Sequence, residues 1–555
     1  MNRISVQAFK RSRYPTAIAA GVLLGISFPQ TGVAGFAWIA PGLMLLAAWG
    51  KPGLESFRIG YVAGLAHYLT SLRWLLLIPV TGFPILGWIA LSAYLALYPA
   101  AWVWLSSFQI SNFKFQISNS DDGAHAWLAA AERLMARGWS GRMLWALSCG
   151  ANWVALEMLL TRLLGGFPWN LLGVSQHRLL PLIQFASLTG VCGVSFLVVW
   201  TSVSLLCAAA AVLGRPNLRS AWMGEIILPF VTIVALFVFG FHRLRQTPAA
   251  SRELSVTLVQ PSIPQTLIWD ARENTNRFLQ EIELSERALA EKTDLLIWPE
   301  GALPQFDQPS YIAITNLIRS HHVWMLFGAD DVEPRPAAVG REDYDVYNAA
   351  FLFDPQGRHA TTYRKRSLVI FGEYIPLEKW LPFIKWFTPV QGSYTPGNRP
   401  VQLELRDREA KTSALICFED VFPQLGREAA APDTDFLVNL TNDGWFGEGA
   451  AQWQHAANAQ FRAIENGLPL VRCTNTGLTC WFDPCGRRRD VLTDTLGSIY
   501  GPGFMTVKIP LQAPGAERPP TFYHQHGDWF GWGCTAMAAA ATLRAGLGKR
   551  RKEAV

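Results

Sequence analysis

The chain has 555 residues, of which 50% are hydrophobic and only 16% are charged, and its formal net charge is +6. This composition excludes a disordered chain, and it is poorer in charge than the composition of soluble enzymes, in which about 25% of the residues are charged. We therefore predict a membrane protein. Its polarity is uneven, because residues 1–242 are largely apolar, residues 243–522 have the composition of a soluble domain, and residues 523–555 combine an apolar run with a basic tail.

Several apolar runs are long enough to cross the roughly 30 Å of hydrocarbon in a bilayer. They are 14–29, 33–50, 57–79, 82–106, 143–163, 180–213, 224–242 and 527–547. Basic residues precede the first run, as in a secretory signal, but the second run follows almost at once without a small-residue cleavage site. We therefore interpret the first run as a retained signal anchor. The sequence predicts about eight spans, seven in 1–242 and the eighth in 523–555.

The basic residues predict which way these spans face, because Lys and Arg near span ends stay on the cytoplasmic side. One alternate set of connections and termini is rich in them: Arg3, Lys10, Arg11, Arg13, Lys51, Arg58, Lys114, Arg133, Arg137, Arg142, Arg215, Arg219, Arg544, Lys549, Arg550, Arg551 and Lys552. The opposite set contains Arg162 and Arg178. Both termini are predicted to be cytoplasmic, and 243–522 is predicted to lie outside, in the periplasm of a bacterium with two membranes.

Two features of the apolar region do not fit simple spans. Glu157 and Arg162 are ionisable residues near a membrane boundary, which makes them candidates for a functional site or for an interfacial ion pair that orients the helix. The polar connection 107–142 contains FQISN twice, and we interpret it as an insertion without a function.

From about residue 254 the pattern changes to short apolar strands that alternate with amphipathic helices. The predicted strands are 254–259, 295–298, 323–328, 413–418 and 436–441, the predicted helices are 274–292, 308–320 and 453–466, and hairpins are predicted in YNAAFLFDPQG and around FDPCG. This order predicts an α/β domain whose sheets are covered by helices. Neither GxGxxG after the first strand nor GxxxxGK[ST] is present, and no residues have metal-ligand spacing, so we expect no nucleotide cofactor and no metal.

Reactive side chains follow three of the predicted strands or hairpins, where loops present chemistry. Glu300 in LLIWPEGALP is a candidate general base or an ordinary solvated carboxylate. Lys365 in YRKRSLVIFGEYIP is a candidate oxyanion stabiliser or part of a basic edge strand. Cys417 in SALICFED is a candidate nucleophile or an inert buried thiol. Histidine is another candidate base, but His455 stands alone in WQHAANAQ.

The order of these motifs resembles that of a known superfamily. WPE at 298–300, the YRK…FGE run at 363–373 and ICFED at 416–420 resemble the Glu-Lys-Cys constellation of the nitrilase, or carbon-nitrogen hydrolase, superfamily. The predicted spans before and after this domain resemble one branch, the bacterial apolipoprotein N-acyltransferases. Further similar motifs are QPSIPQTLIWD (260–270), TNDGWFG (441–447), WQH (453–455) and RCTNTG (472–477).

This resemblance implies an extramembrane αββα sandwich and assigns roles to residues. Glu300 would be the proton acceptor, Lys365 the transition-state stabiliser and Cys417 the nucleophile. Glu373 would support them as a second carboxylate. The substrate pocket would be lined by Trp269, Phe418, Glu419 and Trp445. The sequence departs from the family at Phe418, where tyrosine is usual, at Ile370, where proline is usual, and at Cys473, where serine is usual.

The resemblance also implies an activity: transfer of an acyl chain from a phospholipid, through a thioester on the cysteine, to the N-terminal diacylglyceryl-cysteine of an apolipoprotein. It implies a monomer in the bacterial inner membrane with a lipid donor, a lipoprotein acceptor, no cofactor and no nucleic-acid partner. An amidase on the same fold, using water in place of the lipoprotein amine, is the nearest alternative. A transporter or scaffold whose outer domain only binds is the alternative from another class, and sparse intramembrane charge argues against it.

Overall fold

The structure is a computed structural model that describes residues 13–51, 53–80, 83–111, 134–214, 220–246, 251–303, 306–335, 344–376, 380, 392–513 and 518–553. The chain divides into two compact units. The first comprises the described parts of Met1–Leu76, Ile85–Arg245 and His526–Val555, and the second comprises those of Leu77–Pro84 and Gln246–Gln525. Most of the repeated FQISN insertion lies outside the described residues.

The first unit is helical and apolar. Its helices are α1 (Arg13–Gly25), α2 (Ala40–Ala47), α3 (Leu54–Ser71), α4 (Phe83–Leu95), α5 (Leu97–Ser111), α6 (Trp139–Leu160), α7 (Leu180–Ile183), α8 (Ala186–Thr189), α9 (Val191–Gly214), α10 (Met223–Arg245) and, after the second unit, the C-terminal helix Trp529–Glu553. Buried alanine, leucine, valine and tryptophan side chains of α1, α2, α5, α6 and α9 form its core.

Four helical stretches of the described residues are long and apolar enough to cross a membrane: Pro84–Ile110, which comprises most of α4 and α5, and the helices Trp139–Leu160, Val191–Leu213 and Met223–Arg245. The predicted spans 14–29 and 33–50 correspond to shorter helices. The predicted span 180–213 is not one helix, because Gly190 at φ +67° ends α8 and the long helix begins at Val191. These helices make the protein a multi-pass membrane protein. The count of eight spans stays a prediction.

The second unit is an α/β domain with two six-stranded sheets. Its strands are β1 (Arg252–Gln260), β2 (Leu295–Ile297), β3 (Trp324–Pro334), β4 (Tyr344–Phe353), β5 (His359–Arg364), β6 (Gln402–Leu405), β7 (Ala410–Ile416), β8 (Phe436–Thr441), β9 (Leu470–Thr474), β10 (Cys480–Phe482), β11 (Arg488–Val491) and β12 (Gly503–Leu511). The sheet orders are β12-β1-β2-β3-β4-β5 and β11-β10-β9-β8-β7-β6. In each sheet the three central strands run parallel, and their neighbours are antiparallel.

Helices cover each sheet. The helices that pack on the sheets are α12 (Asn274–Ala288), α13 (Gln308–His321), α14 (Pro423–Ala429) and α15 (Ala450–Asn466), and the shorter helices are α11 (Gln265–Ile268) and α16 (Phe522–His526). Apolar residues of α12 and α13 pack on the first sheet, and those of α14 and α15 pack on the second. The sheets meet through β9, where the thiol of Cys473 donates to the carbonyls of Val259 in β1 and Ile297 in β2. The predicted αββα sandwich is therefore confirmed.

Candidate active site

Glu300 lies just beyond the carboxyl end of β2, and the neighbouring strand leaves room for it. A Cβ atom on Gly328 in β3 would lie 2.7 Å from Cα of Glu300 and 2.6 Å from the carbonyl oxygen of Pro299, so only glycine allows this approach. The side chain of Glu300 is 10% exposed, and its Oε2 accepts a hydrogen bond of 3.1 Å from the backbone N–H of Asn442. The second sheet thus helps to orient the carboxylate.

Lys365 follows β5 and is 1% exposed. Its Nζ donates to Oε1 of Glu300 at 3.1 Å and to Oε1 of Glu373 at 2.7 Å. Oε2 of Glu373 in turn accepts from the backbone N–H of Val369 at 2.8 Å. Burial disfavours the ammonium ion, but the carboxylates of Glu300 and Glu373 outweigh it and hold the pKa of Lys365 well above its ordinary value. A permanent positive charge therefore lies between two buried carboxylates.

Asn348 on β4 joins this group and was missed by sequence reasoning. Its Nδ2 donates to Oε1 of Glu300 and to Oε1 of Glu373, each at 2.8 Å. Its carbonyl oxygen accepts from the backbone N–H of Lys365 at 2.8 Å. The side chain of Asn348 thus fixes both carboxylates, and its backbone carbonyl fixes the start of the lysine segment. The only sequence signal is that a polar residue opens the apolar run AAFLF in the predicted hairpin.

Cys417 is the first residue after β7, and its backbone has the unusual φ of +49°. A non-glycine residue in this conformation costs roughly 1–3 kcal/mol, which surrounding contacts must offset. Asn439 and His455 both donate to the carbonyl oxygen of Cys417 at 3.1 Å. The strand-to-turn transition and these two donors therefore hold the thiol at the end of the buried strand.

Burial and, next, the negative charge of Glu300 raise the pKa of the Cys417 thiol well above its ordinary value, while Lys365 and a hydrogen bond with Thr441 act in the opposite direction. The sulfur therefore carries its proton at neutral pH. A nucleophilic role for Cys417 needs a base that removes this proton during the reaction. Glu300, whose charge acts on the thiol, is a candidate for this base.

Alkylation of Cys417 by iodoacetamide is expected to be slow at pH 7 and to accelerate continuously through pH 9, because only the thiolate reacts and the pKa of the thiol is raised. The rate is measured by mass spectrometry of the Cys417 peptide and divided by the rate for N-acetylcysteine at each pH. A plateau below pH 8 would show a preformed thiolate and contradict this geometry.

Glu419 and Phe418 follow Cys417 in a short 3-10 turn. Glu419 is fully buried, and it accepts hydrogen bonds from the backbone N–H groups of Ile416, Arg366 and Ser367 and from the hydroxyl of Tyr363, all between 2.7 and 3.1 Å. The structure therefore places Glu419 between the lysine segment and the cysteine turn. The ring of Phe418 packs edge-on against Phe422 with the centroids 5.2 Å apart.

Trp269 and Trp445 come together although they are far apart in the sequence. Their rings meet edge-on with centroids 5.3 Å apart, and Trp269 is 44% exposed. The loop that carries Trp445 is tied to the segment that carries Trp269 by a hydrogen bond of 2.9 Å from Asn442 Nδ2 to Gln265 Oε1. Because Asn442 also donates to Glu300, this aromatic pair is connected to the carboxylate.

The sequence suggested that His455 stands alone. In the structure it lies in a buried network of charged side chains next to Cys417. Its Nδ1 is 2.9 Å from Asp443 and its Nε2 is 2.8 Å from Asp420. Arg472 contacts both aspartates, at 2.6 and 2.9 Å, and lies 2.8 Å from Nδ1 of His455. All four side chains are fully buried. Burial and Arg472 oppose protonation, but Asp420 and Asp443 outweigh them and raise the pKa of His455.

Replacing His455 with alanine is expected to lower the free energy of unfolding of the second unit by about 3–5 kcal/mol, because two buried aspartates would then share one arginine. The loss should be largest below about pH 6.5, where the imidazolium is fully formed, and should shrink as pH rises through the raised pKa of His455. Chemical denaturation measures it, with exposed His359→Ala as the control. An equal effect in both variants would contradict the network's importance.

The described residues contain no group of three or more His, Cys, Asp or Glu side chains that could hold a metal ion. The arrangement itself presents three reactive groups: the carboxylate of Glu300, the fixed ammonium ion of Lys365 and the thiol of Cys417 on a turn with positive φ.

Two family models match the chain. The model for carbon-nitrogen hydrolases matches residues 255–507, and the model for the N-terminal domain of apolipoprotein N-acyltransferases matches residues 20–204. The apolipoprotein N-acyltransferase of Geobacter metallireducens is 34% identical over 98% of this chain and 97% of its own length. The chain belongs to the apolipoprotein N-acyltransferase family. It is an acyltransferase, and the family name implies lipoprotein and lipid substrates.

More distant members of the apolipoprotein N-acyltransferase family also align over most of the chain. The enzyme of Brucella suis biovar 1 is 29% identical over 89% of this chain and 86% of its own length. Among solved structures, an amidase from Nesterenkonia sp. covers 50% of this chain and 97% of its own, with 18% identity and a TM-score of 0.35. Nit3 of Saccharomyces cerevisiae covers 48% of this chain and 92% of its own, with 17% identity and a TM-score of 0.34.

Proposed function

We propose that this protein transfers an acyl chain from a phospholipid to the α-amino group of the N-terminal diacylglyceryl-cysteine of apolipoproteins, through a thioester on Cys417. The observation that carries the proposal is the hydrogen-bonded cluster of Glu300, Lys365 and Glu373, whose charges act on the Cys417 thiol, in a member of this family. The thiol, the base and the cation have separate roles in the two half-reactions.

In the first half-reaction Glu300 takes the proton of the Cys417 thiol, and the sulfur attacks an ester carbonyl of the phospholipid. Lys365 and a backbone N–H of the cysteine turn stabilise the negative oxygen of the tetrahedral intermediate. When the intermediate collapses, the C–O bond breaks, and the leaving alkoxide takes the proton from Glu300. The products are lysophospholipid and a thioester on Cys417.

In the second half-reaction the α-amino group of the diacylated lipoprotein attacks the thioester. Glu300 accepts a proton from the attacking nitrogen, and Lys365 again stabilises the oxyanion. The C–S bond breaks, an amide bond remains on the lipoprotein, and the sulfur recovers its proton from Glu300. The route is ping-pong, and neither half-reaction needs a cofactor.

The remaining residues have supporting roles in this proposal. Glu373, through its hydrogen bond to Lys365, keeps the ammonium ion in place. Glu419 positions the lysine segment against the cysteine turn through its four hydrogen bonds. Trp269, Trp445 and Phe418 provide apolar surface for acyl chains, and the exposure of Trp269 suits a lipid substrate that enters from a membrane.

We further propose the domain boundaries 1–242 for seven spans, 243–522 for the catalytic domain and 523–555 for an eighth span with a basic tail. The distribution of Lys and Arg supports cytoplasmic termini and a periplasmic catalytic domain in the inner membrane. We expect the enzyme to act as a monomer.

The activity is tested by incubating the purified enzyme with a phospholipid and a synthetic diacylated lipopeptide, followed by mass spectrometry of all products. The proposal predicts one triacylated lipopeptide for each lysophospholipid released. Release of free fatty acid without acylated peptide would contradict it, and cleavage of simple amides with release of amine would favour the amidase alternative. Absence of any turnover by the folded protein would favour a protein that only binds.

A further inference from the structure

A cavity lies at one end of the helical unit, apart from the residues of the candidate active site. It is bordered by the C-terminal ends of α1, α3 and α6, by the N-terminal end of α5 and by the segment that follows α6. Three of its polar lining residues come from different parts of the chain: His67, Glu157 and Asn170. By the distribution of basic residues, this end of the unit faces away from the cytoplasm.

Glu157, an ionisable residue that the sequence singled out, points into this cavity without a cationic partner among the described residues. The predicted ion pair with Arg162 is absent, because Arg162 binds Asp528 at 2.5 Å instead. Oε1 of Glu157 accepts hydrogen bonds from Trp153 Nε1 at 2.9 Å and from the backbone N–H of Leu172 at 2.8 Å. Oε2 is buried, and no described residue meets the geometry of a hydrogen bond to it, although the hydroxyl of Ser195 acts on the same carboxylate.

Two other side chains of the cavity also have buried polar atoms without a hydrogen-bond partner among the described residues. Nδ1 of His67 and both amide atoms of Asn170 are buried without a hydrogen-bond partner in the part of the chain that the structure describes. The residues are 2% and 8% exposed, and Glu157 is 6% exposed. Unpaired buried polar atoms destabilise a folded protein, and three side chains that carry them share one cavity. This concentration indicates a ligand that supplies the missing hydrogen bonds.

The chemistry of the wall defines the class of that ligand. Glu157 Oε2 and Asn170 Oδ1 are acceptors, and His67 Nδ1 is a third when the imidazole proton is on Nε2, which equals the number of N–H donors of a primary ammonium ion. Nδ2 of Asn170 is a donor and needs an oxygen acceptor, such as a water molecule bound beside the cation. Aromatic rings complete the wall: Phe28, Tyr68, Tyr98, Trp102 and Trp153. Aromatic faces attract cations, and a carboxylate within an aromatic wall favours an organic ammonium ion over an anion or a neutral group. The cavity volume of about 20 Å³ accommodates one or two water-sized groups, such as an ammonium ion and its first carbon.

We propose that this cavity binds the primary ammonium group of a short alkyl chain, as carried by an ethanolamine phospholipid headgroup or by a free alkylamine. The site is separate from the acyl-transfer chemistry, and the proposal does not depend on it. Glu157 supplies the countercharge, His67 and Asn170 supply acceptors, and the aromatic rings exclude water around the bound cation.

The test uses the full-length protein in nanodiscs of diether phosphatidylglycerol, which has neither an amine nor an ester that the enzyme could cleave. Ethylammonium chloride is titrated against the apparent melting temperature, with ethanol as a neutral compound of the same size and sodium chloride as the salt control. The proposal predicts a saturable rise with ethylammonium alone. In parallel, diether phosphatidylethanolamine is added to the nanodiscs, and its retention after detergent extraction is measured by native mass spectrometry.

Glu157→Gln should weaken binding at least about tenfold, because a charge-assisted hydrogen bond is lost, whereas Glu55→Gln, outside the cavity, should leave it unchanged. A response to both amines shows that the ammonium group suffices, and a response to the lipid alone identifies the headgroup as the source. With the wild-type protein alone, no response to either amine, or equal responses to ethylammonium and ethanol, would overturn the proposal. Equal binding by wild type and Glu157→Gln would overturn it as well.

Discussion

Replacement of Cys417 by alanine is expected to reduce acyl transfer by at least about 10³-fold, as removal of the nucleophile does in other enzymes that form acyl intermediates. The thiol has no substitute in the proposed reaction, since the first bond to the acyl chain is made by its sulfur. Acyl transfer is measured as triacylated lipopeptide formed under conditions in which the wild type completes many turnovers. The variant should remain folded, because alanine removes one sulfur atom and keeps the hydrogen bonds to the backbone carbonyl of residue 417.

Cys473→Ser is the matched control for this loss. Cys473 is another buried cysteine, its thiol donates to backbone carbonyls of the first sheet, and a serine hydroxyl can donate in the same way. Activity should stay within about twofold of the wild type, since the hydrogen bond is retained and the residue lies outside the catalytic cluster. Full acyl transfer by Cys417→Ala would assign the nucleophile to another residue, and equal loss in both variants would point to a folding defect.

Replacement of Glu300 by glutamine is expected to slow formation of the acyl-enzyme by about 10²–10⁴-fold, the usual contribution of a general base. Glutamine keeps the size of the side chain and an oxygen that can accept from Asn348 and Lys365, as Glu300 does at 2.8 and 3.1 Å. What it loses is the ability to take the thiol proton. The measurement is the single-turnover rate at which the Cys417 peptide gains an acyl mass.

The pH profile of the Glu300→Gln variant distinguishes the loss of a general base from the loss of a residue that positions other groups. Without Glu300 the thiol must give its proton to solvent, so the remaining rate of Glu300→Gln should keep rising with pH through 9, because the pKa of the Cys417 thiol is raised by burial. Exposed Glu291→Gln is the control and should behave as the wild type. A rate that is low and independent of pH would indicate that Glu300 positions other groups and does not act as the base.

Much of the second unit was predictable because its strands and helices have simple periodic patterns. The strands at 254–259, 295–298 and 436–441 and the helices at 308–320 and 453–466 are confirmed within a few residues. The strand predicted at 413–418 ends two residues earlier, at Ile416, because Cys417 adopts a positive φ and begins a 3-10 turn. β6 and β12 were not predicted; β12 pairs with β1 across most of the domain's sequence, and such long-range pairing leaves no local signal.

The helical unit was less predictable, since hydropathy reports apolar character and not continuity. The apolar run 180–213 contains Pro181 and Gly190, and the structure divides it into two short helices and one long one. The prediction of an interfacial ion pair between Glu157 and Arg162 was wrong for a related reason. Spacing along a helix does not reveal Asp528, which is distant in sequence and forms the ion pair with Arg162.

At the site, motifs identified the residues with reactive groups but not the residues that hold them. Asn348 lies in an ordinary apolar hairpin, and His455 gains its partners Asp420 and Asp443 from other segments of the chain. Glu419 was expected to line the pocket from its place in ICFED, and only the fold shows that four donors surround it. Such supporting contacts depend on the tertiary structure, which brings distant segments together.

The central claim is that an acyl chain is carried on Cys417, and the most direct measurement is mass spectrometry of the intact enzyme and its peptides after incubation with phospholipid and no acceptor. The account predicts a fatty acyl mass on the wild-type peptide that contains Cys417, its removal by neutral hydroxylamine, which cleaves thioesters, and its discharge when a diacylated lipopeptide is added. The Cys417→Ala protein should carry no acyl mass on this peptide. A folded enzyme that binds phospholipid, acylates the lipopeptide and never carries an acyl mass on Cys417 would contradict it.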